Sequence, residues 1–343
     1  MPAIPSAFKG RRAIDTPVLR SHPLILAAFA GLALACGTSS PTTPPADGGP
    51  NAEASIDGGT PDGGGCVGSA TGTHVYTCSG LAVTVTAPPT CPAAGCGLIL
   101  DVHGFLMDAD VEDAMTHLRA IGTAAGYVIV QPTAPSGRVA QGPAWLDGDD
   151  VAVMDAVAAT RTAFAIDAKR IHVTGLSQGG FMTFRLVCAH ADLFASAAPA
   201  LAGTASCPSG TLNGSCAFSG SDKPSRALPL LYMVGTKDAL VPASCTDPQR
   251  DAIIAGWSLG AKQPVKTGTG WRRDRYAGPN GASLDLVSHD GTATAALVAN
   301  AGHCVPGGGP TAPSFWGGLR CDGTTGLDWG AEVVAFFNAN PKP

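Results

Sequence analysis

The sequence predicts an α/β fold, with a mostly parallel central sheet flanked by helices, and three observations carry that expectation. Short apolar runs alternate along the chain with stretches of helical spacing, the pattern of βαβ units. The inner runs are nearly all apolar, as strands covered on both faces must be. Several of them end at glycine or another turn residue, where the following segment takes up a helical period. Composition permits such a core: 45% of the 343 residues are hydrophobic and only 14% are charged.

The elements follow in order. Leu81–Ala87 alternates and reads as an early strand. Leu98–Val102 is a short buried strand ending at His103-Gly104. Val111–Ala125 has helical spacing, and Tyr127–Val130 is again a strand. Asp150–Phe164 reads as a helix, Ile171–Thr174 as a strand ending in Gly175, and Gly179–His190 as the next helix. Leu228–Val234 is a strand, Gln249–Trp257 a helix, Ala295–Asn300 a strand and Trp329–Asn338 a closing helix. In sheets of this kind ligands bind at the carboxyl ends of the strands, so the loops there are the place to look.

The segment ahead of this domain reads as an address. Lys9, Arg11, Arg12 and Arg20 precede an uncharged apolar run, Leu24 to Ala35. That run is too short to span a bilayer, which takes about 20 residues, and has the length of a secretory core. It closes on Leu32-Ala33-Leu34-Ala35-Cys36, so small residues stand before a cysteine as in a bacterial lipoprotein cleavage box. Residues 1–35 are therefore expected to be the signal peptide and Cys36 the lipid anchor; plain secretion with cleavage near Ala35 is the rival reading. Residues 36–65, rich in Gly, Pro and Asp, lack apolar periodicity and are expected to form a flexible tether, because they cannot bury enough surface to offset chain entropy. Their Asp-Gly repeats lack the EF-hand spacing that calcium would require. Residues 66–343 form the expected catalytic domain.

Of 11 cysteines, all but Cys36 lie in that domain and make an even set, the signature of disulfides in an exported protein. Short spacings point to Cys91–Cys96 and Cys207–Cys216, with Cys66–Cys78 a third pair. No CxxC accompanies them, so a zinc cluster is the weaker reading and no metal is expected. A net charge of −5 offers no basic face of the kind nucleic-acid binding needs, and no nucleic-acid partner is expected.

The chemistry is carried by Gly175-Leu176-Ser177-Gln178-Gly179. With 45 glycines in the chain the bare G-x-S-x-G match is cheap, but its context is not. A strand precedes it directly and a helix follows directly, the order a nucleophile elbow needs to expose its serine. The loop after the Leu98–Val102 strand supplies the second element. The backbone N–H groups of Phe105 and Gln178 are the expected oxyanion-hole donors, whereas the His103 ring reads as a packed structural group. Asp238 lies on the turn that follows the Leu228–Val234 strand and is the expected acid, ahead of Asp222, Asp247 and Asp251, none of which follows a core strand. Downstream of it stand only His289 and His303. His303, in a turn-rich loop, is the expected base and His289 the runner-up. His172 and His190 read as structural or surface residues. Trp145 is a substrate-cleft candidate, with buried packing as its alternative. Ser177, Asp238 and His303 in that order would hydrolyse an ester through an acyl-enzyme with no cofactor.

Several stretches together resemble the α/β-hydrolase esterases that include polyhydroxybutyrate depolymerases and feruloyl or acetylxylan esterases. They are His103-Gly104, Gly126 to Pro132, Arg170 to Gly180, Asp192 to Ala195, Gly235 to Asp238 with Val241-Pro242, and Gly302-His303 with Pro306-Gly307. The resemblance implies the α/β-hydrolase fold and the same three catalytic residues. It also implies an ester substrate, polymeric in some members. The chain departs from the family where a tryptophan often follows the histidine, since Cys304-Val305 stands there. Cys304 is expected to pair with Cys321 and brace the base loop. Asp101, in a strand that reads as buried, has no role in this picture. A prolyl-oligopeptidase-like peptidase and a non-catalytic binding protein on a hydrolase scaffold are the alternative functions.

Overall fold

The computed structural model describes residues 65–343, apart from 92–94, 140–141, 147, 208–213, 294–301, 309–319, 323 and 325. The expected signal peptide at 1–35, the expected anchor Cys36, the expected tether up to residue 64 and the strand expected at Ala295–Asn300 lie outside the described residues.

The first half of the chain runs β1 (Gly72–Cys78), β2 (Leu81–Ala87), β3 (Cys96–Val102), α1 (Ala109–Thr116), α2 (Leu118–Ala124), β4 (Tyr127–Thr133), α3 (Asp149–Ala163), β5 (Ile166–Leu176) and α4 (Gln178–His190). The second half runs β6 (Ser196–Ala200), β7 (Pro229–Gly235), α5 (Ala243–Gly256), β8 (Gln263–Gly268), β9 (Trp271–Ala277), β10 (Ser283–His289) and α6 (Trp329–Ala339). The strands form one 10-stranded sheet in the order β1-β2-β4-β3-β5-β6-β7-β10-β9-β8. From β4 to β10 neighbouring strands are parallel. The β1–β2 hairpin and the β9–β8 pair add antiparallel strands at the two edges. The sheet is thus mixed, and only its middle is parallel as expected.

Two apolar cores lie on opposite faces of the sheet, as the two-residue period of a strand dictates. Leu98, Leu100 and Val102 of β3 join Phe181 and Phe184 of α4 and Val153 and Val157 of α3 in one core. Ile99, between them, joins Leu118, Val333 and Phe337 in the other.

β8 and β10 carry no readable apolar alternation, for physical reasons. β8 is exposed along its whole length, so it carries no apolar alternation. β10 buries Asp285, which breaks the apolar pattern. That carboxylate is held by Arg275, whose Nε lies 2.6 Å from Oδ1, and by Arg273, whose Nε lies 2.7 Å from Oδ2. The expected single helix Val111–Ala125 is two. His117 turns left-handed at φ 54° between them, and its N–H donates to the Asp113 carbonyl. Gly330 of α6 fits against the end of α1 so closely that a Cβ would come within 1.8 Å of the Thr116 carbonyl oxygen.

Five disulfides are formed: Cys66–Cys78, Cys91–Cys96, Cys188–Cys216, Cys207–Cys245 and Cys304–Cys321. The expected Cys207–Cys216 pair is not among them. Nearness in sequence misled there. The Thr204 N–H donates to the Cys245 carbonyl, which brings the start of α5 to Cys207 with 5.1 Å between the paired Cα atoms. Cys216 instead faces Cys188 of α4 at 5.6 Å.

Candidate active site

Ser177 joins β5 to α4 at φ 53° and ψ −114°, a sharp turn that L-residues rarely adopt and that costs about 1–3 kcal/mol. The flanking glycines of the motif are required by close backbone approach. A Cβ on Gly179 would stand 1.9 Å from the Val102 carbonyl oxygen, and one on Gly175 would stand 2.6 Å from the Gly179 carbonyl oxygen. The strand ends therefore press directly on the turn. Ser177 N–H donates to Ala200 at the end of β6, and Leu201 N–H donates to Met233 of β7. Ser177 is half-buried, whereas its neighbours in the elbow are buried.

Asp238 follows the end of β7, on the same carboxyl edge. Its Oδ1 accepts from the N–H groups of Leu240 and Val241, at 2.8 and 2.9 Å. Its Oδ2 lies 2.7 Å from Nδ1 of His303. Burial alone would raise the Asp238 pKa. The His303 hydrogen bond, the His303 charge and the two backbone donors overcome it and hold the carboxyl below its ordinary value. An ionised Asp238 fixes the His303 tautomer with its proton on Nδ1 and leaves Nε2 to act as a base. His303 is held in place through Gly302, where a Cβ would come within 2.4 Å of the Asp238 nitrogen.

His289, the runner-up base, ends β10 and is buried. Burial brings its pKa down to about 4, despite the nearby Asp238 and Asp290 carboxylates. Its Nδ1 lies 3.7 Å from Cys321 Sγ, and its Nε2 has no hydrogen-bond partner among the described residues. It is His303 that holds the direct contact with Asp238.

The loop after β3 carries the expected oxyanion donor Phe105. A Cβ on Gly104 would lie 3.5 Å from the Ser177 Cβ, so this loop packs onto the elbow. Leu106 N–H donates to Pro143 and Met107 N–H donates to Gly104, so both are used within the loop region. The second expected donor, Gln178 N–H, opens α4, where the helix dipole favours negative charge.

Trp145 does not line a cleft; its side chain is fully buried. Its Nε1–H donates to the His103 carbonyl at 2.9 Å, and its own N–H donates to Gln178 Oε1 at 2.9 Å. Gln178 Nε2 returns a bond to the Trp145 carbonyl at 3.1 Å. Trp145 is thus a strut between the β3 loop and the elbow. Its ring lies 4.7 Å from that of His103, whose Nδ1–H donates to the Gly104 carbonyl at 2.7 Å and whose Nε2 accepts from Ala134 N–H at 2.9 Å. With both nitrogens used and its pKa brought down to about 4 by burial, His103 is a neutral structural ring, as its place in the sequence suggested. The strut had no sequence signal beyond a tryptophan in a loop.

Among the described residues, two groups have metal-ligand proximity: His289 with Cys304 and Cys321, and Asp222 with Cys188 and Cys216. Each contains a disulfide, whose sulfurs are not thiolates. No helix among the described residues is long and apolar enough to cross a membrane.

No family model matches the chain. It is 27% identical over 168 residues to a bifunctional acetylxylan esterase/xylanase of Neocallimastix patriciarum, a stretch covering 48% of this chain and 21% of that protein. It is 28% identical over 145 residues to poly(3-hydroxyalkanoate) depolymerase C of Paucimonas lemoignei, covering 39% of this chain and 35% of that protein. Among solved structures, an acetyl xylan esterase from Aspergillus awamori superposes with a TM-score of 0.51. That superposition covers 75% of this chain and 94% of the other, at 13% identity, and shows a shared α/β-hydrolase-like fold.

Proposed function

We propose that this protein is an exported serine esterase that hydrolyses carboxylic esters through an acyl-enzyme. One observation carries the reading: the 2.7 Å bond between His303 and a doubly anchored Asp238, on the sheet edge that also exposes Ser177. His303 Nε2 takes the proton of Ser177 Oγ as that oxygen attacks the ester carbonyl. The carbonyl π electrons move onto oxygen, and the N–H groups of Phe105 and Gln178 stabilise the oxyanion. Collapse of the intermediate breaks the bond to the alcohol, which leaves with the proton from His303. Water, activated by the same histidine, releases the acid. Asp238 stabilises the imidazolium without taking its proton.

The substrate class is read from the surroundings. Phe105 and Leu240, on the loops that carry the oxyanion donor and the acid, keep 38% and 40% of their surface exposed. Two apolar side chains at that edge favour an ester with an apolar part. The names of the two curated relatives support esters presented on polymers, acetylated xylan or polyhydroxyalkanoate. Five disulfides support an oxidising compartment, and we extend the reading to a lipid anchor at Cys36. Detergent-phase partition that is lost in Cys36→Ser tests the anchor.

The activity is tested by initial rates of wild type and Ser177→Ala on nitrophenyl esters, methyl ferulate, acetylated xylan and polyhydroxybutyrate film. Ser177-dependent ester hydrolysis is expected, and the fastest substrate gives the specificity. Faster cleavage of peptide amides would point to a peptidase. A folded protein inert on every substrate would point to a binding role.

A further inference from the structure

Asp101 and Glu112 are the least expected residues of the interior. Both are fully buried, one on β3 two residues before His103 and the other on α1. Asp101 Oδ2 accepts from Gln131 Nε2 at 2.8 Å and from the Thr116 hydroxyl at 3.3 Å. Among the described residues, Asp101 Oδ1 and both carboxyl oxygens of Glu112 have no hydrogen-bond partner. The two side chains interact, and Gly104 N–H is near enough to favour an ionised Glu112 without closing a hydrogen bond of normal geometry.

No cation compensates them among the described residues. From β4 comes the neutral amide of Gln131. Arg119 of α2 stands behind it, spending its Nε on Gln131 Oε1 and its Nη1 on Asp110, both at 2.6 Å. From α1 come Thr116 and Asp113, and Asp113 adds negative charge. From β5, Thr174 stands opposite Asp101 and donates to Ala198. His103, just past the end of β3, is neutral, and α6 brings Gly330 against Thr116. Two buried carboxylates side by side would offer only acceptors to each other and repel. One proton between them turns the contact into an O–H···O hydrogen bond and halves the charge.

We propose that Asp101 and Glu112 share one proton and act together as a positioning pair, fixing the Gly104–Phe105 turn against the Ser177 elbow. The directions of titration agree with it. Burial raises Asp101 to about 7, and burial together with the adjacent Asp101 raises Glu112 well above its ordinary value. Loss of the shared proton puts a second negative charge beneath Gly104, and the turn that presents the Phe105 N–H shifts. The effect on turnover rests on the esterase reading; the shared proton does not.

Two measurements test the pair. Infrared spectroscopy of the folded wild type at pH 6 should show a carbonyl band from a protonated buried carboxyl, lost in Glu112→Gln. Its absence from the wild type overturns the proposal, whatever the variants do and whether or not the protein hydrolyses esters. The second is the pH profile of kcat and KM on a soluble ester. Wild type should lose kcat at alkaline pH with little change in KM. Glu112→Gln, which replaces the shared proton with an amide, should keep kcat within about threefold of wild type at neutral pH and remove that alkaline loss. Glu112→Ala should lower kcat about tenfold or more at every pH. An alkaline loss that persists unchanged in folded Glu112→Gln overturns the positioning role. If Glu112→Gln does not fold, Asp101→Asn is measured the same way, with the same outcomes.

Discussion

Nδ1 of His303 lies 2.7 Å from Oδ2 of Asp238, although 65 residues separate them in the chain. The contact exists because the loop after β7 and the loop bearing Gly302 interlock: a Cβ on Gly235 would come within 2.4 Å of the Gly302 carbonyl oxygen. Oδ1 of the same carboxylate is held by two backbone N–H groups, so Asp238 presents Oδ2 in a fixed direction.

Asp238→Asn should leave the protein folded and lower kcat by about 10⁴, because an amide can hold the imidazole in the wrong tautomer. KM should change little. Steady-state kinetics on a nitrophenyl ester checks it, and an Asn variant within tenfold of wild type would move the acid elsewhere.

His303→Gln should abolish turnover, whereas His289→Asn should retain most of it. His289 faces Cys321 rather than Asp238, and burial lowers its pKa to about 4, which makes it a weak proton acceptor with no carboxylate among the described residues to orient it. The reverse result would make His289 the base.

Trp145→Phe removes the Nε1–H bond to the His103 carbonyl and leaves that buried oxygen without its donor. A loss of about 1–3 kcal/mol in unfolding free energy is expected, read from denaturant melts. Since the strut joins the β3 loop to Gln178, kcat should fall more than KM rises. An unchanged melt would show that the strut carries nothing.

Three buried histidines set an acid limit. Burial depresses His103 and His289 to about 4 and His172 to about 3, against 6.5 in the unfolded chain. A group with a depressed folded pKa contributes stability above its unfolded pKa and loses it as pH falls. The contribution of His172 should thus be complete above about pH 6.5 and shrink down to about pH 3. Denaturant melts across that range should show a shallower acid loss for His172→Asn than for wild type. Parallel pH curves would contradict it.

The elbow was legible in the sequence because strand, turn and helix are contiguous there and each glycine answers a local steric demand. Ser177 and the beginnings of its helix follow from about twenty residues of chain. Asp238 and His303 were legible by strand-end position and by order along the chain, and the structure joins them. The Cys304–Cys321 bridge is as the sequence suggested. Cys188–Cys216 and Cys207–Cys245 were not suggested, because they depend on where α4 and α5 pack. β8 was hidden by its exposure, and β10 by a buried Asp285 that arginines of the neighbouring β9 make tolerable. Trp145 left cleft and buried packing both open, because a loop tryptophan does not declare which groups it will meet, and the structure buries it. Asp101 stood out as unexplained, and only the fold shows Glu112 beside it.

Ser177 as an activated nucleophile is the centre of the proposed function. The measurement that tests it is mass-spectrometric mapping of the adduct formed with an alkyl fluorophosphonate. One phosphonyl group per chain is expected, on Ser177, formed rapidly in wild type and hardly at all in His303→Gln. No adduct in a folded protein, or a full-occupancy adduct with the Ser177 peptide unmodified, would contradict it.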